Sequence, residues 1–284
     1  MPEGHVVHRL AMAVDRRLAG DRVAVSSPQG RFAAAATRLD GGTLRGAEAY
    51  GKHLMLDFGE ERWVHVHLGI YGRLTIGESP PSPPVGQVRM RLVGARAWAD
   101  LRGPAACELL GRDERAALLA SLGPDPLRPD AGPACAWRRL RASRAPIAVL
   151  LLDQAVVAGV GNIYRAEVLF RHGVDPMLPG RELLEPVWRV IWADLRALMR
   201  AGVRDGRIDT VREEHDPAVT GREPRRDRHG GEVYVYRRAG QPCHVCGTAV
   251  ATRVLAGRNL FWCPACQPPG SRGAGNHPTP SPAR

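Results

Sequence analysis

Apolar side chains at Val6, Leu10, Val14 and Leu18 recur every four residues, so the chain opens on a helix with one face turned to a core. The period then shortens. Residues 22–26, 43–50, 53–58, 63–67, 88–93 and 95–99 carry strand-like apolar patterning between turn signals and predict a β-sandwich. Helical spacing returns over residues 137–141, 147–157, 163–170 and 183–199. The break between the two regimes is Gly123-Pro124-Asp125-Pro126-Leu127-Arg128-Pro129, whereas Ser79-Pro80-Pro81-Ser82-Pro83-Pro84 is a loop within the first region, too short for a linker. Residues 251–262 read as two short strands around a Gly-Arg-Asn turn. The chain is therefore expected to be an α+β multidomain protein. Residues 1–122 form a domain of amino-terminal helix plus β-sandwich, 123–232 a helical domain, 233–267 a small β-hairpin domain, and 268–284, rich in Pro, Gly, Ser and Arg, a disordered tail.

The hairpin carries a metal signal. Cys243 and Cys246 form one C-x-x-C pair, and after sixteen residues Cys263 and Cys266 form a second. Four thiolates at this interval fit a closed tetrahedral structural zinc site with no position left for water, and they complete it without His244. Disulfides are the competing reading, but no secretory leader is evident and adjacent C-x-x-C pairs make a poor disulfide framework. Cys107 and Cys135 read as ordinary reduced cysteines.

A net charge of +11 and a pI of 10.2 suit a polyanionic partner, without identifying it. Of the 40 basic residues only Lys52 is lysine. Arginine supplies charge but effectively cannot lose a proton, so Lys52 reads as chosen for proton donation; the alternative is chance survival in an arginine-rich chain. Two readings are also open for Met1-Pro2-Glu3-Gly4. Pro2 and Glu3 suit a helix start. Removal of Met1 would instead expose a secondary amine, which attacks a sugar aldehyde carbon to give a permanently cationic iminium, with the Glu3 carboxylate at hand to move protons. Arg258 at the hairpin tip suits phosphate contact or a solvated turn equally well. Gly159-Val160-Gly161-Asn162, between two helices, is either a packing corner or a phosphate site at a helix amino terminus. His65 and His67 alternate on one strand face and read as satisfied strand histidines; His5 and His8 are unassigned. Arg222, Arg225, Arg226 and Arg228 read as a mobile basic loop.

Taken in order, these motifs resemble the formamidopyrimidine-DNA glycosylase and endonuclease VIII family of base-excision repair enzymes. The resemblance rests on Pro2-Glu3-Gly4, Gly51-Lys52-His53, His67-Leu68-Gly69-Ile70-Tyr71-Gly72, Leu152-Asp153-Gln154, Gly159 to Tyr164, and Gly257-Arg258 with the four cysteines, and it extends to Gln267. Pro-Glu-Gly and Leu-Leu-Leu-Asp-Gln are similar to the endonuclease VIII branch, of an actinobacterial type. The resemblance implies a helix-two-turn-helix DNA clamp in the second domain and a zinc finger after it. It implies a bifunctional glycosylase and abasic-site lyase for oxidised bases, pyrimidines first, with damaged DNA as partner. Pro2 would attack C1′ with Glu3 assisting, Lys52 would donate protons, and β,δ-elimination would follow. Ile70 and Tyr71 would fill the gap left by the extruded base, Asn162 and Arg258 would grip phosphates, and Arg258 would share in the δ step.

Two departures stand out. Gly103-Pro104 follows Arg102 where the formamidopyrimidine branch has Arg-Phe-Gly, which leaves the part of Arg102 in the duplex open, and Gly69 replaces the Gln of the better-known endonuclease VIII pattern. Oxidised-purine preference and a zinc-finger DNA-binding protein without chemistry are the other readings; an amino-terminal-proline tautomerase would explain neither finger nor clamp. With no apolar run of eighteen residues the protein is expected to be a soluble monomer acting on the chromosome, in the nucleoid-associated cytoplasm.

Overall fold

The computed structural model describes residues 2–226 and 231–273. The chain divides into two compact units, residues 1–122 and 123–284. The first contains α1 (Gly4–Leu18), β1 (Ala24–Ser26), α2 (Ala33–Leu39), β2 (Gly46–Tyr50), β3 (His53–Asp57), β4 (Trp63–His67), β5 (Arg73–Glu78), β6 (Val88–Val93), β7 (Ala97–Arg102), β8 (Ala106–Leu110) and α3 (Arg112–Ser121). Its strands form two antiparallel sheets ordered β1-β6-β7-β5 and β2-β3-β4-β8. Leu54, Leu56, Val64 and Val66 of one sheet share a core with Met90, Leu92, Ala99 and Leu101 of the other. The buried stripe of α1 is Val7, Ala11, Val14 and Leu18, one position round from the expected face, because Val6 and Leu10 sit at its half-buried margin.

The helix fixes the layout of this unit. It lies along β2 and β3, and its end is tied to the start of β2, where Asp15 Oδ1 accepts from Ala47 N at 3.0 Å and Gly20 N donates to Leu44 O at 2.8 Å. Eleven residues of helix back to Gly4 and five of strand forward to Lys52 each span roughly 16 Å. The start of α1 and the β2–β3 turn therefore lie at one end of the sheet. The strand expected at 95–99 is displaced to Ala97–Arg102, since Gly94 N bonds to Ala97 O at 2.8 Å and closes a turn there. Strands β5 and β8 and helices α2 and α3 were not anticipated. α3 buries no residue, so its sequence lacks an apolar stripe.

The second unit contains α4 (Pro133–Arg141), α5 (Ile147–Leu150), α6 (Asn162–Arg171), α7 (Glu185–Asp205), α8 (Pro217–Thr220) and the hairpin β9 (Ala251–Leu255) and β10 (Arg258–Trp262). One core joins Phe170, Trp188 and Tyr234 to Leu260, Phe261 and Cys263 of the finger. The helix expected over 147–157 stops at Leu150 because side chains take over the backbone groups beyond it: Asp153 Oδ1 accepts from Ala155 N at 2.9 Å, and Gln154 Oε1 accepts from Gly159 N at 2.9 Å. The hairpin turn is Ala256-Gly257, both at positive φ, rather than Gly-Arg-Asn; Arg258 and Asn259 are the first residues of β10. Residues 268–273, expected to begin the tail, are docked: Asp175 N donates to Ser271 O at 2.9 Å and Gly270 N to Asp175 Oδ2 at 2.7 Å. Residues 274–284 of that tail and Arg228 lie outside the described residues. Arg222 and Arg225 are held in place, with Arg222 Nη1 2.6 Å from Glu232 Oε2 and Arg225 Nη2 3.2 Å from Tyr236 O.

Asp194 on α7 receives a two-pronged contact from Arg171, at 2.7 and 2.9 Å, and His172 Nε2 at 3.0 Å. Burial alone would raise its pKa, but bonds from His172 and Arg171 outweigh it and hold the carboxyl at about 2 against 3.8. Its folded pKa is depressed, so the stabilisation is complete above pH ~4 and lost as pH falls towards ~2. Asp194→Asn is expected to cost about 2 kcal/mol at pH 7 in urea unfolding. The gap from the native protein should close between pH ~4 and ~2; a gap independent of pH would contradict the assignment.

Candidate active site and DNA interface

Pro2 is half-buried and immediately precedes Glu3, which occupies the N-cap of α1 in an extended conformation and is 2% exposed. The Glu3 side chain makes no cap hydrogen bond, although Val6 N bonds its carbonyl at 3.0 Å. A carboxylate buried at a helix start without capping it is suited to another task. Lys52 sits half-buried in the two-residue turn joining β2 and β3, where Gly51 has φ +57° and Tyr50 pairs with His53. β3 begins and β4 ends there, with His53 opposite His67. The loop that follows His67 therefore belongs to the same end of the sheet as Lys52 and the start of α1.

That loop is rigid in its backbone and apolar at its tip. Gly72 N bonds to Leu68 O at 2.9 Å. Gly69 has φ +65°, and a Cβ there would lie 2.7 Å from that of Ala105. Ile70 and Tyr71 are 63% and 86% exposed, which is unusual for side chains of this size. Arg102 ends β7 opposite Arg73, just beyond the loop. Its guanidinium is committed within the unit, to Asp100 Oδ2 at 2.9 Å and to the Val85 carbonyl at 3.2 Å, while Arg91 grips the buried Asp100 at 2.6 and 2.8 Å. One end of the first unit thus gathers Pro2, Glu3, Lys52, Ile70 and Tyr71, with Arg102 beside them.

Histidines surround this end. Burial, then Arg9 and His8, lowers the His5 pKa to about 4. Burial, then His65, His67 and Lys52, lowers that of His53 to about 4. His67 is lowered by burial, then His65 and Lys52. His53 was not singled out from the sequence, and only its place after Lys52 could have drawn attention to it.

In the second unit Asn162 is the first residue of α6, reached through the Gly159-Val160-Gly161 turn. Gln154 ties that turn, donating from Nε2 to Val160 O at 3.0 Å. Asn162 Nδ2 donates to Asn259 O at 3.0 Å, and the buried Arg165 bonds both Asn162 Oδ1 and Asn259 O. Asn162 is therefore fastened to the residue after Arg258, so the helix start and the exposed arginine of the hairpin are held together. The clamp in turn is joined to the finger by Glu167. This fully buried carboxylate accepts from Tyr234 N, Val235 N and Tyr236 N at 2.7, 2.9 and 2.8 Å, and from Thr210 Oγ1 at 2.6 Å. Glu167 was missed in the sequence, where a glutamate within an apolar helix was the only signal.

The four expected cysteines converge. Sγ separations are 3.9 Å for Cys243–Cys266 and 3.5 Å for both Cys246–Cys263 and Cys246–Cys266, too long for disulfides. Thiolates about 2.3 Å from a tetrahedral zinc lie roughly 3.8 Å apart, so the set fits one structural zinc. His244 stands outside it.

A two-layered β unit that opens on Met1-Pro2-Glu3 is joined in sequence to a helical unit closed by a four-cysteine hairpin. The chain belongs to the formamidopyrimidine-DNA glycosylase and endonuclease VIII family. Residues 1–107 match the formamidopyrimidine-DNA glycosylase N-terminal domain, 122–213 its H2TH domain, and 240–269 the zinc finger found in FPG and IleRS. The chain is 54% identical over 271 residues to Endonuclease 8 1 of Mycobacterium tuberculosis, covering 94% of this chain and 100% of that protein. It is 35% identical to the DNA-(apurinic or apyrimidinic site) lyase Nei2 of Mycolicibacterium smegmatis, covering 94% and 99%. In fold it matches the Lactococcus lactis formamidopyrimidine-DNA glycosylase, crystallised non-covalently bound to DNA containing an abasic site, with a TM-score of 0.75 at 22% identity, covering 94% and 99% of the two chains.

Because Cys263 and Leu260 belong to the main core of the second unit, zinc removal should reach past the finger. Elemental analysis is expected to find one zinc per chain, and complete chelation to weaken binding of an abasic-site duplex at least about tenfold by fluorescence anisotropy. Undiminished binding by the stripped protein would contradict this.

Proposed function

We propose that this DNA glycosylase and abasic-site lyase removes oxidised pyrimidines from DNA, using Pro2 as the nucleophile. The observation that carries the reading is the gathering of Pro2, buried Glu3, Lys52 and the exposed Ile70-Tyr71 tip at one end of the first unit. A base inside the duplex stack is out of reach, so it is extruded at a cost of a few kcal/mol, less for a poorly stacked lesion. Ile70 and Tyr71 enter the gap as an apolar wedge. The Pro2 amine, freed by loss of Met1, attacks C1′ and releases a proton, while Glu3 protonates the opening sugar. The departing base takes up a proton, and the iminium left behind acidifies the neighbouring sugar carbon, so that β- and then δ-elimination cut the strand. Lys52 donates protons at the phosphates and leaving group. It acts beside His53 and His67, whose pKa values burial lowers.

Asn162 and Arg258 hold phosphates from the second unit, a role supported by their shared anchorage through Asn259. Arg258 also assists the δ step. Arg102 reaches the duplex by exchanging the Val85 carbonyl for DNA while Asp100 keeps its bond from Nη2. The zinc is structural. Among the described residues no helix is long and apolar enough to cross a membrane, and the enzyme acts as a monomer on chromosomal DNA within the cell. The 54% identity with a protein named Endonuclease 8 1 supports the endonuclease VIII branch, for which the sequence resemblance implies oxidised pyrimidines.

Single-turnover cleavage of duplexes bearing thymine glycol, dihydrouracil or 8-oxoguanine tests the lesion class. The first two are expected to be cut at least about tenfold faster, and the opposite order would reassign the enzyme to oxidised purines. Lys52→Ala should slow strand cleavage by roughly a hundredfold while leaving duplex affinity within about threefold.

A further inference from the structure

The face of the β2-β3-β4-β8 sheet opposite the sandwich core carries a hydrogen-bonded chain that the proposed chemistry does not yet use. His53 on β3, His65 on β4 and Glu108 on β8 alternate with the core residues Leu54, Val64, Val66 and Leu109. Glu108 Oε1 lies 2.8 Å from His65 Nδ1, and His65 Nε2 lies 2.8 Å from His53 Nδ1. The two rings stack at 5.0 Å. His65 is 4% exposed, whereas the Glu108 side chain is 55% exposed, so the chain runs from beside the Lys52 turn through the protein to solvent.

A carboxylate can only accept, and this sets the direction of the chain. His65 must donate from Nδ1 to Glu108, which leaves its Nε2 as an acceptor when the ring is neutral. His53 must then donate from Nδ1, which leaves its own Nε2 with a lone pair. Among the described residues that nitrogen has no hydrogen-bond partner. The groups facing His53 are Tyr50 opposite it on β2, Lys52 in the turn, and His65 and His67 on β4; Glu108 acts through His65, and Glu48 with Arg115 lies further along the same face.

We propose that Glu108, His65 and His53 form a proton relay serving Lys52. A proton taken up by His53 Nε2 is matched by transfer of the His53 Nδ1 proton to His65 Nε2, and of the His65 Nδ1 proton to Glu108, which releases it to water. One proton enters and one leaves. The transfer inverts both tautomers, and only return of a proton from Glu108 inward restores them, so each cycle moves one proton out and one back. This matches a reaction in which amine attack releases a proton and base departure consumes one. The relay rests on the reading of Pro2 and Lys52 given above. None of its three residues is assigned contact with DNA; they are positioning residues that act through Lys52.

Two measurements on the full-length protein test it. Long-range 15N–1H spectra of the histidine rings should show His53 and His65 protonated at Nδ1 at neutral pH, independently of any activity. Protonation of either at Nε2 would overturn the relay. Glu108→Gln, which keeps a hydrogen-bonding group but cannot take the proton, should slow single-turnover cleavage of abasic-site DNA about tenfold and displace the pH profile. Its Tm and duplex Kd should match those of the native enzyme, and added imidazole buffer should recover part of the rate. A variant with native rate, pH profile and buffer response overturns the proposal, as does a loss of rate that follows a lowered Tm and resists buffer. Absence of a Pro2 adduct in the native enzyme would instead remove the nucleophile reading, while the ring spectra would still decide whether the relay exists.

Discussion

Burial of Glu3 at the first turn of α1 is the constraint on which the first unit's site depends. A nucleophile must be held within a fraction of an ångström of its target. Here Val7, Ala11, Val14 and Leu18 anchor α1 in the sandwich core and Asp15 pins its far end to Ala47, which places Pro2 and Glu3. The helix thus carries Pro2 and Glu3 to the end of the sheet where the Gly51-Lys52 turn and the Ile70-Tyr71 tip are found.

The second unit solves a related problem with polar groups. The residues proposed to grip phosphates come from distant parts of the chain, Asn162 from a helix start and Arg258 from the finger. Glu167 binds three successive backbone N–H groups at 234–236, and Asn162 and Arg165 bind the Asn259 carbonyl. A buried carboxylate with all its bonds satisfied is a strong organiser because losing any partner leaves a charge stranded in the core. Zinc then closes the hairpin on itself.

Much of this was legible in the sequence, for identifiable reasons. The cysteine spacing carries its chemistry in the residue type, so no packing knowledge was needed to find the zinc set, and the solitary Lys52 and the Pro-Glu-Gly start stand out as candidates on the same ground. The stripe on α1 reads one position off from sequence because Val6 and Leu10 are as apolar as Val7 and Ala11, and only the sheet decides which face is covered. Strand β5 and helix α3 escape notice because one has a single buried residue and the other buries nothing. Gln154 shows in the sequence only as part of the Leu152-Asp153-Gln154 motif, whereas Glu167 and the Glu108–His65–His53 chain are invisible for a deeper reason. Each depends on groups brought together from distant parts of the chain or on backbone atoms, and the sequence reading of His65 as a satisfied strand histidine does not name its partners.

The most direct test of the central claim is borohydride trapping on an oligonucleotide containing an abasic site, followed by peptide mass spectrometry. The account predicts that Met1 is absent and that the sugar is joined to the Pro2 nitrogen, with no adduct formed by a variant that retains one extra residue before Pro2. DNA bound with normal affinity but trapped on another residue, or not trapped at all, would contradict it.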